Sequence, residues 1–265
     1  MRRDRLRAAL LALAPLLFIG YMGRHERYFA RWLLPVYPML CLLAGYGVAA
    51  TATWLSGRLP RARALLPAAL VCLVVAQPLI TTVHGGMVLS RASTFSLAKR
   101  WLDAHAPPGA KVVIEPVMRP EWAYDGRGRP IWKSWTDEHP VDASQGLIDG
   151  YALLLSPRLI DLYAREGYCW VVASESTYGR VFDDASDAPA AVAYYRALSR
   201  RGRLSYVASP YKRSAGAPRP GRNVVKFEFD QINTYRSMRY ERPGWATLIY
   251  RLDGPGCGGG QRVPG

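Results

Sequence analysis

Three long apolar runs occupy the first third of the chain, and alternating helix and strand patterns fill most of the rest. The first run is Ala8–Met22, AALLALAPLLFIGYM, behind the basic start MRRDRLR. The second spans about Trp32 to Leu55 and the third Ala64 to Val83, and neither contains a charged side chain. A helix needs about 20 residues to cross a hydrocarbon core of roughly 30 Å. A helix at the surface of a soluble domain keeps a polar stripe, which these runs lack. The first run resembles a signal peptide, but the residues after it, GRHERYFAR, offer no small-residue cleavage site. The pattern therefore predicts three transmembrane helices at about 8–22, 32–55 and 64–83, within a membrane region over residues 1–91.

Beyond Arg91 the period changes. Residues 93–106 place Phe95, Leu97, Ala98, Trp101 and Leu102 on one side, with Ser93 or Thr94 as cap, which predicts an amphipathic helix. The segment PPGA stops it, and KVVIEP (Lys111 to Pro116) reads as a buried strand. A second helix is expected in SPRLIDLYAREG, with Pro157 just inside a serine cap and Gly167 as its end. The strand YCWVVAS follows. The third unit is a helix from Asp187, closed by Gly202, then the strand LSYVASPY. Two later runs, NVVKFEFDQ and WATLIYRL, also have strand composition. Helices between successive strands predict a small α/β domain over residues 92–253 with a mixed, partly parallel sheet. The segment 254–265, GPGCGGGQRVPG, is low-complexity and expected to be disordered.

Charge sets the orientation. The chain of 265 residues carries a net +15, and its mean hydropathy near zero hides the contrast between its two parts. Residues 1–91 hold eleven arginines and two acids, a net of +9. These cations fall in short groups between apolar runs, not on one stripe interleaved with aromatics, so the pattern does not fit a nucleic-acid binder. Arg2, Arg3, Arg5 and Arg7 at the start and Arg58, Arg61 and Arg63 after the second run make seven basic residues on one side. Arg24, Arg27, Arg31 and Arg91 make four on the other. Cytoplasmic loops are enriched in Lys and Arg. The N-terminus is thus expected in the cytoplasm and the C-terminal domain outside it, in a multi-pass protein of the cell (inner) membrane.

Arg27 and Arg31 then sit at the external mouth of the second span, against this bias. A planar guanidinium fork suits phosphate, so Arg27, Tyr28 and Arg31 are candidates for holding a lipid phosphate. The same residues, with Trp32, also read as plain interface anchors. The stretch from Glu115 to Gly150 is irregular and rich in Trp, Pro, Gly and acids, a composition common in binding loops. Trp122, Trp132 and Trp135 could stack on a glycan, and Asp137 and Glu138 could serve as acid and base beside Glu121 and Asp125. The alternative is a solvated loop pinned by buried aromatics. Among the four cysteines no CxxC or Cys/His ligand spacing occurs, so no metal site is expected. A Cys169–Cys257 bridge is possible outside the cytoplasm, while unpaired thiols are the simpler expectation. No phosphate-binding glycine loop, HExxH motif or nucleophile elbow is present.

ARWLLPVYPMLCLLAGYG resembles the RYLLPxxPxLxLLAG stretch of late membrane helices in polytopic glycosyltransferases of the GT-C class, which includes protein O-mannosyltransferases and aminoarabinose transferases. SLAKRWLDAHAPPGAKVVIE is similar to the segment that opens their external α/β domain, and YCWVVASESTYGRVF and GWATLIYRL resemble later parts of it. The resemblance implies transfer of a sugar from a polyprenyl-phosphate donor to an acceptor at the outer membrane face. It implies no cofactor beyond that lipid-linked donor, with a divalent metal left open. It aligns Arg31 with the Arg of the RYLLP stretch, and Arg27-Tyr28 offers a second register. Such enzymes have many more membrane helices and place catalytic carboxylates in their first external loop, where this chain offers Glu26 alone. The expectation is a C-terminal portion, inactive alone, that works with a separate N-terminal half or another membrane subunit. The alternative is a non-enzymatic, membrane-anchored α/β module that binds a glycan or protein outside the cytoplasm.

Overall fold

A computed structural model describes residues 2–24, 34–115, 122, 125, 127, 131–139, 147–222, 224–225 and 237–257. These form two compact units. One is built on the chain up to Gly86 together with Ser237 and Met238, and the other on the described chain from Met87 onward.

The first unit is helical. α1 spans Arg2–Met22, α2 Tyr37–Arg58 and α3 Leu66–Leu89. Pro38 lies in the first turn of α2, where a missing N–H costs nothing because no helical acceptor exists for it. That explains one of the two prolines inside the second apolar run. By length and composition α2 and α3 could cross a membrane. Their side chains are mostly uncovered. Ala52 is the buried residue of α2, and in α3 Leu73, Val74, Val75, Leu79, Ile80 and Val83 are all exposed. Polar groups on these helices turn inward to the backbone. Thr53 Oγ1 donates to Ala49 O at 2.9 Å, Ser56 Oγ to Ala52 O at 2.7 Å and Thr81 Oγ1 to Pro78 O at 3.0 Å. A hydroxyl bonded to its own helix requires no water. At the end of α2 the Arg58 guanidinium lies 4.0 Å over the Trp54 ring, an arrangement suited to an interface.

The second unit is a mixed sheet covered on both faces. α4 spans Thr94–His105, with Ser93 Oγ accepting from Ser96 N at 3.1 Å as the cap. Gly109, at φ +76°, makes the turn into β1, Lys111–Ile114. β2 (Lys133–Ser134) leads into the short α5 (Trp135–Glu138), and α6 (Leu147–Leu154) and α7 (Arg158–Glu166) follow. β3 (Tyr168–Ser174) runs directly into α8 (Glu175–Asp183), then α9 (Pro189–Arg201), β4 (Arg203–Ala208) and β5 (Thr247–Arg251).

The strand order is β2-β1-β3-β5-β4. β1 is parallel to β2 and to β3, while β5 runs antiparallel to both β3 and β4. Alternate residues therefore face opposite layers. Val113, Val171, Ala173, Leu248 and Tyr250 meet the side chains of α6 to α9. Val112, Ile114, Trp170, Val172 and Ile249 meet Ala98 and Leu102 of α4 together with Trp122 and Trp132.

Three details differ from the sequence reading. α6 and α8 are helices that the sequence reading does not name. α7 begins after Pro157 without a side-chain cap, and α9 begins at Pro189 instead of Asp187. Gly167 ends α7 in the left-handed conformation, at φ +84°, and Gly202 closes α9 as expected, though in an extended conformation, at φ −89°. A Cβ on Gly202 would lie 2.9 Å from Leu198 O and 3.3 Å from the Tyr250 ring. That glycine serves close approach, not turn geometry. NVVKFEFDQ lies outside the described residues except Val224 and Val225.

The cysteines differ too. Cys169 and Cys257 are bridged, with Cα atoms 5.4 Å apart, and Cys41 and Cys72 are free. The start of the glycine-rich tail, Gly254–Cys257, is accordingly packed and not disordered. Gly256 N donates to Ala164 O at 3.0 Å, and a Cβ on Gly254 would stand 2.8 Å from the Ala164 Cβ. The bridge spans 88 residues, for which chain entropy gives a stabilisation on the order of 4 kcal/mol. Replacing both cysteines by serine is expected to lower the unfolding free energy of the α/β unit by a few kcal/mol, read by denaturant titration of the detergent-solubilised chain. An unchanged midpoint would show that the tail is held by packing alone.

Candidate functional site

Two features of the α/β unit combine polar chemistry with defined geometry. The first is an open cleft of about 900 Å³ at the start of α4, lined by Ser93, Phe95, Ser96, Lys99, Arg100 and Trp122. The helix period sends Ala98 and Leu102 into the core, which leaves Ser96, Lys99 and Arg100 on the outer side. Lys99 Nζ binds both carboxylate oxygens of Asp103 at 2.9 and 3.0 Å and stands 5.1 Å over the Trp132 ring. Trp122 and Trp132 meet edge to face, with ring centres 6.5 Å apart. Arg100 is exposed and has no acidic partner among the described residues. No described carboxylate lines the cleft. Its chemistry is that of an anion seat with one apolar wall.

The second feature is a pair of buried carboxyls at the carboxyl ends of β1 and β3, the end at which open α/β sheets bind ligands. Glu115, 1% exposed, accepts from Ser174 N at 2.6 Å and from Tyr195 Oη at 2.5 Å. Burial pushes its carboxyl up to about 7, against the lowering effect of these two donors. Glu175, 2% exposed, accepts from Tyr211 Oη at 2.8 Å and Ala246 N at 3.0 Å, and burial raises its carboxyl as well. Around Glu115 stand Tyr151, Tyr163, Tyr178, Tyr194 and Tyr195, all fully buried. Desolvation holds these phenols above their ordinary value. Tyr151 Oη, Tyr178 Oη and Trp135 Nε1 find no partner among the described residues. Both carboxyls are enclosed and bonded to the frame. They tie strand ends together and offer no face to a substrate.

The residues singled out from the sequence are dispersed. Arg27, Tyr28 and Arg31 lie outside the described residues, as do Glu121 and the Asp137 side chain. Trp122 and Trp132 are buried together on the α4 side of the sheet, and Trp122 also lines the cleft. Trp135 is buried on the opposite side, stacked on His139 at 4.4 Å and edge-on to Tyr163. Glu138 is exposed and accepts from Tyr168 Oη. Asp125 Oδ1 accepts from Arg127 N at 2.9 Å, a turn contact. The loop aromatics thus anchor the loop on two sides of the sheet and form no single stacking platform. Sequence reasoning passed over Lys99 and Arg100, whose signal was a KR pair on the polar side of an amphipathic helix. It also passed over Glu115, the one acid at the end of an otherwise apolar strand.

Among the described residues no group of three His, Cys, Asp or Glu could hold a metal ion. Comparison with protein-family models, with curated proteins and with solved structures finds no match to this chain.

Glu115 sets a pH dependence whose sign follows from the raised carboxyl. Its folded value, about 7, exceeds the ordinary 4.5, so the fold favours the neutral form. The stabilisation is complete below about pH 4.5 and is lost as pH rises through 7, on the order of 3 kcal/mol in all. Stability of the α/β unit should fall between pH 5 and pH 8, and Glu115→Gln should flatten that slope. A wild-type slope of the opposite sign, measured by chemical unfolding across this range, would falsify the assignment.

Proposed function

We propose that this chain is a membrane-anchored, extracytoplasmic part of the machinery that transfers a sugar from a polyprenyl-phosphate donor. In this reading α1 joins α2 and α3 as a third span, the N-terminus is cytoplasmic, and the α/β unit stands on the outer face. The observation that carries the reading is the coupling of apolar, laterally uncovered helices to a disulfide-bridged α/β unit. Disulfides persist in oxidising compartments, which supports an extracytoplasmic location. The resemblance of the ARWLLP and WLDAHAPPGAKVVIE stretches to GT-C transferases supplies the reaction class. Arg27, Tyr28 and Arg31 are then the residues that meet the donor phosphate, and the catalytic carboxylates come from a preceding half or a partner subunit.

A second reading is favoured by one observation. The buried carboxyls of the α/β unit are structural, and no described carboxylate lines its cleft. On its own the unit fits a binding module, which holds a glycan or a partner without transferring anything.

Two measurements test the primary reading. A reporter fused after Gly265 is expected to be active outside the cytoplasm; activity on the cytoplasmic side overturns the topology. The purified chain in detergent is expected to bind a polyprenyl phosphate more tightly than the matching alcohol, with Arg31→Ala weakening that preference and Arg58→Ala leaving it intact. Equal binding of phosphate and alcohol would remove the donor assignment.

A further inference from the structure

We propose that the α4 cleft seats the phosphate headgroup of an anionic phospholipid and so fixes the α/β unit against the bilayer surface. The inference rests on the membrane reading above and is independent of sugar transfer. Three observations carry it.

The first is position. The residues Met87–Leu89, which end α3, belong to the same compact unit as the cleft, and the link from Ser90 to Ser93 is short. Four residues span at most about 14 Å when extended, so the cleft stays near the end of the apolar helix.

The second is bracing of that link. Arg91 Nη1 pairs with Glu241 Oε1 at 3.0 Å and donates to Glu241 O at 3.1 Å. Thr94 N donates to Pro243 O at 3.0 Å. Gly244, at φ +106°, lets the chain pass so close to Thr94 that a Cβ would lie 2.2 Å from Thr94 Oγ1. The start of α4 is therefore held to the strand-bearing body and does not swing on a loose tether.

The third is chemistry. The cleft joins two cations, and two serine hydroxyls bonded to each other at 2.9 Å, to an apolar wall of Phe95 and Trp122. A phospholipid at the interface presents the same sequence of groups, a phosphate ester beside apolar carbon. Lys99 shares its charge with Asp103, but Arg100 has no acidic partner among the described residues. A second basic cleft, of about 580 Å³ near Arg158, Arg165 and Arg201, differs in carrying acids in its own lining. Asp161 and Asp253 line it, and Arg201 is already paired with Asp161. It supplies the control.

The full chain, purified in a neutral detergent, is titrated with a short-chain phosphatidylglycerol and with the matching phosphatidylcholine, and retained lipid is read by native mass spectrometry. Each cation at a membrane surface contributes roughly fivefold in affinity for anionic lipid. Lys99→Gln with Arg100→Gln should reduce the preference for phosphatidylglycerol by about thirtyfold. Arg100→Gln alone, at an exposed side chain without a described partner, should reduce it about fivefold with the fold intact. Arg158→Gln with Arg165→Gln removes the same charge and should leave the preference unchanged. An equal fall in both double variants overturns the proposal in favour of bulk charge. Displacement of the lipid by soluble glycerol phosphate at equal concentration overturns it in favour of a free phosphate-ester site. If the chain needs detergent and the variants do not differ, the cleft assignment alone fails. If the chain stays in water without detergent, the membrane reading fails with it.

Discussion

A helix that is apolar on every side has no stable place in water, and α2 and α3 are such helices. Burying apolar surface is worth about 25 cal/mol per Å², so leaving ten consecutive residues of α3 uncovered, from Val71 to Ile80, opposes the fold strongly in an aqueous setting. Lipid or another apolar protein surface must cover them. The hydroxyls that bond back to helix carbonyls, and Arg58 lying over Trp54 at a helix end, are the local features expected where hydrocarbon gives way to a headgroup layer.

The α/β unit is organised by its last described strand. β5 inserts between β3 and β4 and runs against both, which closes a sheet that would otherwise end at β3. The same C-terminal stretch does further work on either side of the strand. Before it, Ala246 N and Pro243 O reach Glu175 and Thr94, and Glu241 holds Arg91. After it, the Cys169–Cys257 bridge fastens the chain to β3 and the closely packed glycines fasten it to α7. The link from the end of α3 into α4, the buried carboxyl at the end of β3 and the tail are thus all secured by residues 241–257. Pro243 and Gly244 bring this segment against Thr94 at the start of α4.

Glu115 illustrates how a polar centre can be structural. Its donors, Ser174 N and Tyr195 Oη, come from β3 and α9, so one carboxyl joins two layers of the domain. The cost is desolvation, which holds the group near neutrality and makes the fold sensitive to pH without giving it a substrate. Five buried tyrosines around it supply volume as well as hydroxyls, and they fill the space between sheet and helices where smaller side chains would leave gaps.

Local physics was written plainly in the sequence. The apolar runs predicted α2 and α3, the 3.6-residue period and serine cap predicted α4, and the β-branched runs predicted β1 and β3, because each signal depends only on neighbours in the chain. Helices α6 and α8 are short, eight and nine residues, and a stripe of about two turns gives a weak period against the surrounding irregular and strand-like segments. Distant pairings were not legible. That β5 would sit between β3 and β4, that Cys169 would meet Cys257, and that Trp122 would close a cleft beside Lys99 and Arg100 all depend on residues far apart in sequence. Composition and period carry no record of which distant segments meet. The sequence by itself determined the long apolar helices, the class of the domain and its charge; only the folded sheet decided which side chains share a site.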